Sequence, residues 1–263
     1  MRKWLDRRRT SLLPWLLPAA LLIVWEASSL AGLFGSQVLP APSSVVAAAW
    51  QLGWSGELLH HVVISTERAF AGLLIGGGIG LALGFLNGLS TLSERFTDTT
   101  LQMLRNVPHL ALIPLVILWF GIDESAKLFL VALGVFFPIY LNTYHGVRTV
   151  DKDLVEMGRA YGLSGWEFFR QVVLPGAVPS ILVGLRYALG LMWLTLIVAE
   201  TISSSSGIGY MTMNAREFLQ TDIVVLGIVI YAMLGKLADA ATRWLERRCL
   251  AWHPSFQVAK VAQ

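Results

Sequence analysis

Apolar residues in this chain gather into runs long enough to cross a bilayer, separated by short polar stretches. A spanning helix needs about 20 predominantly apolar residues, and such runs lie at 12–34, 66–89, 101–121, 126–147, 179–200 and 222–244. The pattern predicts an all-α, polytopic membrane protein of about six transmembrane helices, a single domain over residues 1–263. The first run follows an Arg-rich start, as a secretory signal would. It outlasts the roughly 7–15 residues of a signal's apolar region and is read as a retained span.

One interruption, at 150–175, is ordered rather than loose. Asp153 followed by Glu156 reads as a helix N-cap with its capping-box partner, opening a helix over 154–161. Gly162 sits where a C-cap takes a left-handed residue without steric strain, and Ser164 with Glu167 repeats the capping-box spacing. The second helix is expected to stop before Pro175. The result is a polar two-helix hairpin, in which Glu156 and Gly162 also have a plain reading as cap and terminator.

Composition agrees with the membrane reading. Hydrophobic residues make up 55% of the chain and charged residues 14%, with a mean hydropathy of +0.63, a balance a water-soluble domain could not present. Lys and Arg favour loops that stay cytoplasmic. Arg2, Lys3, Arg7, Arg8 and Arg9 precede the first run, and Arg95, Arg148, Lys152, Arg159, Arg170, Arg243, Arg247 and Arg248 fall in the loops and tail on the same side. The loops around 35–64, 122–126 and 201–220 hold only Arg216. Both termini and the hairpin are therefore expected in the cytoplasm. The net charge of +3 and pI near 9.2 follow from this bias and give no sign of nucleic-acid binding. Cys249 is the only cysteine, so neither an internal disulfide nor a zinc cluster can be built from it.

Within the runs, Gly72, Gly76, Gly80, Gly84 and Gly88 recur every fourth residue along one stripe, which predicts a helix packed closely against neighbours. Arg105, Asn106 and His109 stand around Pro108 and are candidates for the cytoplasmic half of a transport pathway, where the prolines would free backbone carbonyls to line a cavity. Arg105 reads equally as a side chain snorkelling to the headgroups, and His109 as a hydrogen-bonded packing residue. Arg186 and Lys236 are further cations in apolar runs, with Asp239 near enough to pair with Lys236. Glu200 precedes a turn rich in Ser and Gly at 201–209, either an ordinary solvated loop or an external mouth. In segment 35–64, residues 45–54 predict a surface helix capped by Ser43 or Ser44, with Trp50 and Trp54 at the interface. Adjacent His60 and His61 point apart and complete no metal site.

Set against known families, Glu156, Gly162, Val172, Leu174 and Pro175 fall at the positions of the EAA loop, and the chain resembles the permease subunits of bacterial ABC importers. Two positions depart: Met157 and Gly158 stand where the family usually has two alanines, and Val172 where it has isoleucine. The run P-H-L-A-L-I-P-L-V-I-L-W-F-G at 108–121 looks like the third span of permeases in the nitrate, sulfonate and taurine group. So do Phe137-Pro138, Asn142-Thr143 and Gly146-Val147-Arg148. Within that group the chain is most similar to permeases for aliphatic sulfonates. The resemblance implies a type I importer fold in the bacterial inner membrane and a homodimer with its pathway at the subunit interface. It also implies two ATP-binding subunits docked on Glu156, Arg159, Gly162, Leu174 and Pro175, and a periplasmic substrate-binding protein at the mouth near Glu200, where such permeases commonly carry a glutamate.

No G-x-x-x-x-G-K-[ST] is present, so the chain carries no ATPase of its own. No cofactor is expected in it; ATP and Mg²⁺ would be used by the partner subunits. No H-E-x-x-H and no nucleophile elbow support intramembrane hydrolysis. The alternatives are a permease for nitrate, taurine or another small anion, and an ion-coupled secondary transporter. The latter would need coupling carboxylates at mid-membrane, and none is found near the centre of a run.

Overall fold

The computed structural model describes the backbone of residues 2–35 and 37–252, and the side chains of 16–35, 37–202 and 204–252. Among these the chain is helical throughout, without strands. In order the helices are α1 (Arg2–Leu30), α2 (Pro42–Trp54), α3 (Glu57–Leu89), α4 (Thr91–Arg105), a 3-10 turn (His109–Leu112), α5 (Ile113–Phe120), α6 (Glu124–Arg148) and α7 (Lys152–Ala160). They continue with α8 (Gly165–Phe168), a π turn (Phe169–Val173), α9 (Leu174–Ser203), α10 (Ile208–Glu217) and α11 (Thr221–Cys249).

The centre is the pair α3 and α6. A Cβ placed on Gly72 would lie 2.5 Å from Val131 Cγ1, on Gly76 2.0 Å from the Ala132 carbonyl oxygen, and on Gly80 2.8 Å from that of Phe136. On Gly84 and Gly88 it would lie 2.6 and 2.7 Å from Thr143 Cβ and Val147 Cβ. All five glycines therefore face α6, and the two backbones meet at a distance no side chain permits. Helix α9 closes the core from the other side of α6, where Gly184 meets Asn142 and the Pro138 carbonyl. Ala69, Val131, Val135, Ile139, Ala188, Met192 and Leu196 interlock there. Helix α11 lies outside α9, and α2 packs its Val45 and Ala48 on Leu226 of α11.

Four stretches are long and apolar enough to cross a membrane: α3, α6, Gly165–Ile202 and α11. The expected span 101–121 is not one helix. Thr91–Arg105 and His109–Phe120 meet at 81° and make a fifth span only if counted together. Pro108 has no amide hydrogen to continue α4, and the residue before it is pushed out of the helical region. The described part of α1 is a shorter apolar helix, Leu16–Leu30. The side chains at the beginning of the expected run 12–34, and those of Arg2, Lys3, Arg7, Arg8 and Arg9, lie outside the described residues.

Other boundaries shift for local reasons. The cap of α2 is Ala41, without a side-chain bond, and Pro42 opens the helix. Ser43 donates to Glu26 of α1 and Ser44 to the Ala41 carbonyl, so neither caps. Helix α3 begins at Glu57, behind a left-handed Gly56, well before residue 66. Asp151, not Asp153, caps α7, its Oδ1 accepting from the Asp153 amide at 2.9 Å. Ser164 takes the cap position of α8 but makes no cap bond. The helix does not stop before Pro175 either: a π turn carries it into α9, where Leu174 and Pro175 occupy the first turn. Proline is tolerated there because it follows directly on the π turn, where the regular i→i−4 ladder is already interrupted.

Candidate functional site

Three polar features interrupt the apolar bundle, one at each end and one between. At the first end lies the hairpin. Gly162 is left-handed, with φ +79°. Its amide donates to the Arg159 carbonyl at 2.9 Å, and the Leu163 amide donates to the Gly158 carbonyl at 3.0 Å. This pair of bonds is a Schellman motif, which satisfies the last carbonyls of α7 and reverses the chain. Gly158 is the buried residue of α7, and a Cβ there would lie 3.0 Å from Val172 Cγ2 and 3.2 Å from Phe168 Cε2. The close approach seats α7 on the π turn, above Val147, Val173 and Ala177. Glu156, Arg159 and Gly162 are exposed, and Leu174 and Pro175 are half-buried. Leu154, Met157, Tyr161 and Trp166 stand exposed around them, an apolar rim on a polar hairpin.

At the opposite end Glu200 is 1% exposed. Its carboxylate accepts from Ser65 Oγ at 2.8 Å, Arg68 Nη1 at 2.8 Å, the Gly209 amide at 2.9 Å and Tyr231 Oη at 3.1 Å. Arg68 forks onto Glu124 with two bonds of 2.6 Å and donates to the Ser206 carbonyl at 2.6 Å. Lys127 joins through Glu124 at 2.9 Å. The amides of Gly207 and Ile208, at the start of α10, donate to His61 Nδ1 and Ser65 Oγ. Two carboxylates and two cations thus tie α3, α6, α9, α10 and α11 together, and of the amides at the start of α10 that of Gly209 donates to Glu200 itself.

Glu200 is therefore no solvated loop residue. Sequence reasoning missed Arg68, Ser65, Lys127 and Tyr231. Arg68 stands in the polar stretch Ser65 to Arg68, which reads as the flank of a span, and a one-turn spacing of polar residues was the available signal.

Between the ends, His109 follows the break after α4. Its ring Nε2 lies 3.0 Å from Thr195 Oγ1 of α9, and a Cβ on Gly134 of α6 would come within 3.5 Å of it. Arg105 and Asn106 lie on the exposed surface just before the break. Arg186 is not with them. It pairs with Glu246 and, at 3.8 Å, with Asp239 of α11. Asp239 pairs with Arg243 at 2.7 Å rather than with the exposed Lys236. Near the hairpin end Glu94 accepts from Tyr144 and Arg148. No group of three metal-ligating side chains occurs among the described residues.

Residues 75–250 match the family described as "Binding-protein-dependent transport system inner membrane component". The chain belongs to this family. It is 60% identical to the aliphatic sulfonates transport permease protein SsuC of Escherichia coli (strain K12), over 98% of this chain and 97% of that protein. It is 48% identical to the protein of the same name from Bacillus subtilis (strain 168), over 92% and 88%. The taurine transport system permease protein TauC of Escherichia coli (strain K12) is 35% identical over 91% and 89%. Among solved structures, an amino acid ABC transporter superposes with a TM-score of 0.60 at 16% identity, covering 76% of this chain and 97% of that one. The MetNI methionine ABC transporter does so at 0.53 and 16%, covering 75% and 97%. These two likenesses establish the fold, that of type I importer permeases. The chain is a multi-pass inner-membrane permease subunit, a transporter component rather than an enzyme.

Proposed function

We propose that this chain is the permease through which an ATP-driven importer moves aliphatic sulfonates across the bacterial inner membrane. The observation that carries the reading is 60% identity to an aliphatic sulfonates permease over 98% of the chain. The hairpin supports the rest of the mechanism. A Schellman-closed α7 seated on the π turn through Gly158 is a short, stiff body continuous with α9, so a push on the exposed Glu156, Arg159 and the apolar rim is delivered to a spanning helix. Two ATP-binding subunits, hydrolysing ATP with Mg²⁺, dock there, one on each copy of a homodimer. Closure of those subunits switches the spans between outward-facing and inward-facing states.

The excess of Lys and Arg in the loops on the hairpin side supports a cytoplasmic hairpin and cytoplasmic termini. The Glu200 end then faces the periplasm, where a substrate-binding protein delivers the anion. Nitrate or taurine as cargo is the second reading, favoured by 35% identity to a taurine permease.

The test is reconstitution of the chain in vesicles with an ATP-binding subunit and a substrate-binding protein. Uptake of ethanesulfonate that needs ATP and all three components is expected, with nitrate and taurine competing weakly. Uptake driven by an ion gradient without ATP would overturn the importer reading. Preference for nitrate or taurine would overturn the sulfonate assignment alone.

A further inference from the structure

We infer that Arg105 and Asn106, at the break between α4 and the 3-10 turn, form an anion-binding site within the membrane that holds the sulfonate head of the cargo during passage. This rests on the proposed transport of sulfonates and adds the place where the anion is held. Depth is the first argument. His109, one turn beyond Arg105, is fixed to Thr195 and lies beside Gly134. At ~1.5 Å rise per residue, Thr195 lies about 12 Å from the Ser203 end of α9 and Gly134 about 15 Å from the Glu124 end of α6. A hydrocarbon core is about 30 Å thick, so His109 and the break before it lie well inside the spanning stretches of α6 and α9 and not at their ends.

Exposure is the second argument. Arg105 and Asn106 are both exposed, and among the described residues no carboxylate pairs with Arg105 and no side-chain hydrogen bond is made by either. Arg68 is matched by Glu124 and Glu200, Lys127 by Glu124 and Arg186 by Glu246; Lys236 is exposed without an ion pair as Arg105 is, but it stands within the unbroken helix α11, not at a helix break. An unpaired arginine facing lipid is strongly disfavoured, so this face meets water or a counter-charge. Broken helices within the membrane are likewise tolerated where they line a cavity.

Shape is the third. Met103, Leu104 and Val107, exposed at 68%, 52% and 42%, flank the two polar residues. A guanidinium and an amide set among apolar side chains suit a small anion with an alkyl tail: Arg105 can fork onto two sulfonate oxygens and Asn106 can donate to the third. A fully hydrated inorganic anion would gain nothing from the apolar rim.

The experiment uses the complete transporter in membrane vesicles, with Cys249, the only cysteine, replaced by serine. Asn106→Cys is treated with a charged, membrane-impermeant thiosulfonate reagent, and Leu118→Cys on the apolar face of α5 serves as the lipid-facing control. Labelling of Asn106→Cys but not Leu118→Cys, slowed by ethanesulfonate, is expected. Arg105→Gln should raise the ethanesulfonate concentration for half-maximal uptake at least about tenfold, the loss of a forked pair of charge-assisted hydrogen bonds, and Arg105→Lys, which keeps the charge but not the fork, should recover part of it. Absence of labelling at Asn106→Cys overturns the proposal. So does labelling indifferent to ethanesulfonate together with unchanged uptake by Arg105→Gln, the behaviour of a snorkelling side chain. The labelling readout does not depend on ATP, so it stands apart from the test of the importer reading.

Discussion

Arg68 Nη1 donates to Glu200 Oε1 at 2.8 Å across 132 residues of sequence, and the two side chains are 6% and 0% exposed. Their loss should not be symmetrical. Glu200 has Arg68 as its one ion-pair partner among the described residues, whereas Arg68 keeps its fork to Glu124 if Glu200 is neutralised. Arg68→Met strands a buried carboxylate and should lower stability by about 3–5 kcal/mol. Glu200→Gln should cost less, and the double variant should be more stable than Arg68→Met alone. Thermal unfolding in mild detergent decides it. A double variant no better than Arg68→Met would show that packing, not charge, holds this end together.

The glycine stripe gives a sharper contrast within one helix. A methyl on Gly76 would lie 2.0 Å from the Ala132 carbonyl oxygen, a backbone atom that cannot yield without moving α6, while Gly78 has nothing within 4 Å of that position. Gly76→Ala should therefore lower the unfolding temperature and the yield of folded protein. Gly78→Ala should leave both unchanged or slightly raised, since alanine is the better helix former by about 0.5–1 kcal/mol. Equal behaviour of the two variants would mean that α3 and α6 do not meet as described.

What the sequence disclosed and what it withheld divide along the range of the interaction. The period-four glycines, the apolar runs and the turn at Gly162 are local patterns, and each is visible without a partner. Arg68 was invisible because its meaning lies in Glu200, far along the chain, and in Glu124 at the start of a different helix. The break after α4 hid for another reason. Apolar residues continue on both sides of Pro108, so hydropathy joins what the missing amide separates. The helix runs on past Pro175 because the π turn just before it already interrupts the regular ladder, so the missing amide is absorbed there. Asp151 and Asp153 both fit a cap by type; the backbone before α7 chose the earlier one.

Gly162 should test whether the hairpin transmits force. Its φ of +79° excludes β-branched residues, yet nothing lies within 4 Å of a Cβ there, so the strain of a substitution is purely conformational. Gly162→Val should lose about 1–2 kcal/mol locally and separate ATP hydrolysis from uptake, while membrane insertion and yield stay normal. Gly162→Asn, which tolerates the left-handed region, should retain most of the coupling. Normal ethanesulfonate uptake by a well-expressed Gly162→Val variant would remove the turn from the mechanism.

Gly158 tests the same body by packing rather than by backbone. The methyl of Gly158→Ala would meet Val172 Cγ2 at 3.0 Å and Phe168 Cε2 at 3.2 Å, both parts of side chains that can shift by a few tenths of an ångström. The gain in helix propensity, about 0.5–1 kcal/mol, offsets that strain, so Gly158→Ala should keep its unfolding temperature and its coupling. Leucine cannot be absorbed in this way. Gly158→Leu would have to lift α7 off the π turn, breaking the contact that joins the hairpin to α9, and overpacking of this kind typically costs 1–3 kcal/mol. Its expected signature is ATP hydrolysis that continues when loaded binding protein is added but no longer drives uptake. If Gly158→Leu couples as well as the parent, the seat of α7 on Val172 and Phe168 is not the route by which movement at the hairpin reaches the spanning helices.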